Sequence, residues 1–205
     1  MTAVFIGNVV IYNISATFYE EDRSEELSLI MRAMNNITAS TEGCIRFLQR
    51  ANERDYIQIS RGAACNSAVG RQGGKQIVTY ARGCLEELGQ IQHELLHALG
   101  FYHEHTRRDR DKYVWINWEN LKPSVLKDFR IPTDADDMGF QYDYESCTHY
   151  PMNAFPKKPD VPTMVAKKKG VHLGRRASMS RLDVLKLKFA DVEYPPAEFP
   201  ETTSK

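Results

Sequence analysis

The residues best able to do chemistry lie in one run, His93-Glu94-Leu95-Leu96-His97-Ala98-Leu99-Gly100-Phe101-Tyr102-His103, which has the spacing HExxHxxGxxH. Side chains four apart on a helix lie one above the other, so His93 and His97 would present imidazoles from one face. Glu94, one position along, would sit close to a metal held there but offset from both histidines. That offset suits a general base that draws a proton from water without ligating the ion. Gly100 can adopt the positive φ that ends a helix and turns the chain, which brings His103 back as a third ligand. Three imidazoles leave a coordination position for water, as a catalytic zinc site needs and a closed structural site does not. The implied chemistry is metal-assisted hydrolysis at one catalytic zinc ion. Ordinary residue frequencies put a chance match to the full pattern on the order of one in a hundred thousand for such a chain.

A helix carrying this site must bury one face and show the other to a cleft. Leu88, Ile91, Leu95 and Leu99 form a stripe roughly opposite His93 and His97, and the pattern predicts a helix over Leu85–Leu99. Strands are predicted over Val9–Ile14, Ile45–Gln49, Tyr56–Ser60 and Gln76–Tyr80, with a polar turn at 52–55. Asp22-Arg-Ser-Glu25 resembles a capping box, and Leu27, Ile30, Met31 and Met34 then recur at helical spacing up to a stop near Asn35–Ser40. Met31 and Met34 read as core residues, not ligands. The glycines at 70, 73 and 74 match neither P-loop nor dinucleotide spacing and read as a tight turn. Ser180-Arg-Leu-Asp183 is a second capping-box match, opening a helix through about Ala190. Pro195 and Pro196 then stop regular structure, and residues 196–205 read as a disordered tail.

Bulk properties narrow the classes. The chain has 205 residues, enough for one substantial domain. Basic and acidic residues both total 27, so no global charge points to nucleic acid or a membrane surface. No apolar run approaches the roughly 20 residues of a membrane span. The stretch Ala3–Ile14 is interrupted by Gly7, Asn8 and Asn13 and follows no basic segment, so it reads as a strand and not a signal peptide. The four cysteines, Cys44, Cys65, Cys84 and Cys147, include no CxxC pair, and their residue pattern leaves the pairing open. Sequons at Asn13 and Asn36 add weak support for secretion.

With these residues in view, the chain resembles the astacin family of metzincin zinc endopeptidases. The likeness extends from about Gly7 to Phe189. Beyond the histidine motif it rests on Glu104, Arg107, Asp109-Arg110-Asp111 and Val114; on Cys44-Ile-Arg-Phe47 and Val69–Gln76; and on Tyr142-Asp-Tyr144, Ser146 and His149-Tyr150. The resemblance implies an α+β fold, a two-lobed metzincin-like catalytic domain over residues 1–195. Its amino-terminal lobe, about 1–100, would hold a twisted mixed sheet and helices, and its lobe at about 101–195 would be mostly irregular. It also implies that Tyr150 is both a further metal ligand and a catalytic residue whose phenol stabilises the oxyanion. Glu104 matches the residue that, in mature members, reaches the buried amino terminus. Cys65–Cys84 matches one family bridge, whereas the partner expected for Cys44 near Glu193 is missing. The methionine beneath the metal in the family is Thr148 here, a change expected to alter stability before chemistry. The resemblance further implies secretion, a protein or peptide substrate, and an inhibitory propeptide in the precursor, absent from this chain. Lys157, Lys158, Lys167–Lys169, Arg175 and Arg176 could favour acidic residues after the scissile bond. Two other readings stand beside the endopeptidase: a catalytically inactive binding module of the same fold, and a zinc hydrolase acting on a non-peptide amide.

Overall fold

A computed structural model of the chain describes residues 8–20, 23–135, 137–174 and 177–193. Strand β1 (Val9–Ile14) alternates in burial, with Val10, Tyr12 and Ile14 turned inward, as the period of two along a strand requires. It pairs in parallel with β2 (Arg46–Gln49) on one side and β3 (Tyr56–Arg61) on the other. The two-residue β4 (Asn66–Ser67) forms an antiparallel edge on β5 (Lys75–Tyr80), which itself pairs in parallel with β3. The sheet is therefore mixed, in the order β2-β1-β3-β5-β4.

Helix α1 (Ser24–Ser40) buries Ile30, Ala33, Met34 and Ile37, an i, i+3, i+4, i+7 stripe against the sheet. Helix α2 (Leu88–Ala98) is buried on nearly all sides, with Ile91, Leu95 and Leu96, and Leu99 at its C-cap, fully enclosed. It starts three residues later than the apolar spacing predicts. Arg82–Cys84 forms a separate 3-10 turn, and Cys84 is joined to Cys65 next to β4. Asp22 lies outside the described residues; α1 begins after Arg23, which makes no side-chain cap.

Beyond residue 100 the chain runs through short 3-10 turns and one small antiparallel sheet, β6 (Val114–Ile116) with β7 (Met164–Ala166). Val114, Ile116, Phe129, Tyr142 and Met164 form a second apolar cluster there. Helix α3 (Arg181–Glu193) then returns to the first core, where Met179, Leu187 and Ala190 are buried. Its start is a true capping box: Ser180 Oγ accepts from the Asp183 amide at 2.9 Å, and Asp183 Oδ2 accepts from the Ser180 amide at 2.9 Å. The architecture is α+β. No described helix is long and apolar enough to cross a membrane.

Candidate metal centre

The end of α2 builds the site. Gly100 has φ of 99°, its amide donates to the His97 carbonyl, and the Phe101 amide donates to that of Leu96. This is a Schellman ending, and Leu96 and Phe101 supply its buried apolar pair. The turn also orients an imidazole, since the Phe101 carbonyl accepts from His97 Nδ1 at 2.7 Å. Gly70, in the glycine-rich turn, donates its amide to the same His97 carbonyl at 2.8 Å, and Gln76 Nε2 braces that turn through the Gly70 carbonyl. The loop read as an ordinary tight turn thus supports the helix end.

His93 Nδ1 donates to the Cys147 carbonyl at 2.7 Å. A carbonyl only accepts, so Nδ1 carries the proton in His93 and in His97, leaving each Nε2 with a lone pair. Those two atoms lie 3.0 Å apart, and His103 Nε2 is 3.2 Å from both. Lone pairs crowded this way repel unless a cation lies among them. Ligands about 2.0–2.1 Å from a tetrahedral zinc would be separated by about 3.3 Å, close to these spacings. The residues present fit such an ion, and no other described residue joins the three histidines in a cluster of this kind. Burial, then the neighbouring His93, lowers the His97 pKa to about 3; burial also lowers that of His103 well below its usual range. Both imidazoles are held neutral, the form that ligates metal.

Glu94 lines the same cleft with a side chain only 6% exposed, and burial raises its pKa to about 8. A cation at the adjoining imidazoles opposes that effect, because a nearby opposite charge favours the carboxylate. Tyr150 also lines the cleft, its ring centre 4.4 Å from that of His103. His105 stacks on Tyr150 at 4.3 Å and lies against Phe129, with Nε2 donating to the Asp128 carbonyl. It stands outside the three-histidine cluster.

Thr148 is buried, its hydroxyl 3.0 Å from Ser146 Oγ, so the polar group at the position where the resemblance implies methionine is hydrogen-bonded. Met152 is half exposed and forms no buried floor. Cys147 keeps a buried thiol. Glu104 is buried too: Oε2 accepts from Lys186 Nζ at 2.7 Å, and Oε1 from Arg107 Nη1 at 3.1 Å and the Asp143 amide at 2.8 Å. The amino-terminal residues lie outside the described part, as do Arg175 and Arg176. Among the described residues lining the cleft there is no lysine or arginine, so Lys157, Lys158 and Lys167–Lys169 are not part of its lining. Phe155 and Asp128 do line it, and no motif marks either of them in the sequence.

Comparison with known proteins places this geometry in context. The family model described as Astacin, a peptidase family, matches residues 5–190. An astacin-like metalloendopeptidase of Coturnix japonica is 41% identical over 170 residues, spanning 82% of this chain and 40% of that protein. The low choriolytic enzyme of Oryzias latipes is 42% identical over 174 residues, 82% of this chain and 60% of the relative. The chain thus spans only part of the length of these curated relatives. A solved structure of high choriolytic enzyme 1, a hatching enzyme zinc-protease from Oryzias latipes, superposes with a TM-score of 0.81 at 39% identity, over 92% of this chain and 90% of that one.

Proposed function

The chain belongs to the astacin family of peptidases, and on that premise we propose that it is a zinc-dependent endopeptidase, with Glu94 as the base that activates the attacking water. The observation that carries this reading is the convergence of the His93, His97 and His103 Nε2 atoms beside a buried carboxylate in an open cleft. These three histidines would hold the ion, with Tyr150 as a further oxygen ligand at its border. When bound, zinc supplies Lewis acidity, which acidifies water and polarises a carbonyl oxygen.

Glu94 takes the proton of the attacking water at its carboxylate and passes it to the leaving amine nitrogen. Burial favours its protonated form and a neighbouring cation its ionised form, so both roles are within reach of one group. The Tyr150 phenol donates a hydrogen bond to the carbonyl oxygen as negative charge develops there. An extended substrate pairs with the outer edge of β4, whose Asn66 and Ser67 line the cleft. The Cys65–Cys84 bridge fits an oxidising compartment, and the proposed place of action is extracellular.

Digestion of an unfolded protein by the zinc-loaded chain tests the endopeptidase reading. Mass spectra should contain internal fragments from the earliest time points. Stepwise trimming from one end, or hydrolysis of small amides with proteins left intact, would reject it.

A further inference from the structure

The metal-binding cluster is completed by two loops. One carries His103 and Glu104; the other carries Cys147, whose carbonyl orients His93, and Tyr150. Both loops are held by the same face of α3. Asp183 Oδ1 accepts from Ser146 Oγ at 2.7 Å, and Oδ2 accepts from the Cys147 amide at 3.0 Å. One turn along, where i and i+3 side chains are neighbours, Lys186 Nζ donates to Glu104 Oε2 at 2.7 Å. The circuit closes through Asp143, whose amide donates to Glu104 Oε1 and whose carboxylate accepts from Ser180 Oγ at the cap of α3. Asp183 is fully buried and Lys186 is 3% exposed. Such charges are sheltered from solvent and fixed by several partners, unlike a surface ion pair.

We propose that Asp183 and Lys186 are positioning residues that clamp the His103 loop and the Cys147–Tyr150 turn onto α3, so that this carboxyl-terminal helix sets the affinity of the histidine cluster for zinc. The inference rests on the metal site proposed above. Neither residue belongs to the cluster. Lys186 acts through Glu104 on the residue next to it, His103, and Asp183 acts through Cys147 on the imidazole of His93. Groups that orient ligands from behind typically change metal affinity 10–100-fold when removed.

The test is zinc affinity, measured by competition with a chromophoric chelator, for the wild type, Lys186→Met, Lys186→Arg and Asp183→Asn. Lys186→Met and Asp183→Asn should each weaken zinc binding by about 10–100-fold, with Lys186→Arg recovering most of the loss. Removing one charge of a buried pair leaves the other uncompensated and can unfold the chain. The neutral double variant Glu104→Gln/Lys186→Met avoids this and should fold, as judged by circular dichroism, yet still bind zinc more weakly. In the copper-substituted protein, the tyrosinate-to-copper absorption band reports whether the Tyr150 turn has moved; Asp183→Asn should diminish it. Wild-type affinity in folded Asp183→Asn and in the folded double variant would overturn the clamp while leaving the metal site standing. Failure of the wild type itself to bind zinc would overturn the site and the clamp together.

Discussion

Glu94→Gln is expected to cost at least about 10²–10⁴-fold in turnover while leaving zinc binding unchanged. The amide is the same size as the carboxyl, so packing around α2 is preserved, but it accepts no proton from water. At about 1.4 kcal/mol per decade, the loss corresponds to roughly 3–5 kcal/mol of barrier. Glu94 is not among the clustered nitrogen donors, so a competition titration should return wild-type zinc affinity. Turnover within a few-fold of wild type would remove Glu94 from its role as base.

Gly174→Ala should be the most damaging conservative change away from the histidines. Gly174 has φ of 71°, and a Cβ there would lie 2.4 Å from the His149 carbonyl oxygen and 3.2 Å from the Pro151 nitrogen. Both contacts are backbone, so no side chain can swing aside. The left-handed conformation costs roughly 1–2 kcal/mol for a residue with a Cβ, and overpacking typically adds about 1–3 kcal/mol. The Gly174 amide also donates to the Tyr144 carbonyl at 2.9 Å, which pins the segment against the turn that carries Tyr150. Urea unfolding should register a loss of about 2–5 kcal/mol. A loss under about 0.5 kcal/mol, the scale of an ordinary surface change, would mean that the close approach does not constrain the turn.

Much of this was legible in the residues. The spacing of the three histidines, the glycine between the second and third, and the apolar stripe of α2 are local signals, and local geometry realises them. The capping box at Ser180 was readable for the same reason: it joins residues three apart. Strand β1 has the boundaries its β-branched run predicts. What could not be read depends on distant partners or on the backbone. Lys186 finds Glu104 across 82 residues, and Asp183 finds Ser146 across 37. The groups that orient His93 and His97 are carbonyls, which every residue has and no residue type reveals. Gly174 was one glycine among twelve until His149 was placed against it. The late start of α2 belongs to the same class, since the bridge to Cys65 takes Cys84 into a separate turn.

Peptide hydrolysis by this chain is expected to depend on a zinc ion held by the histidine cluster. Cleavage of a denatured protein by the purified chain should stop when a chelator strips the metal and return when one equivalent of zinc is restored. Cleavage that continues after the metal has been removed, or a chain that binds zinc stoichiometrically and still leaves every substrate intact, would contradict it.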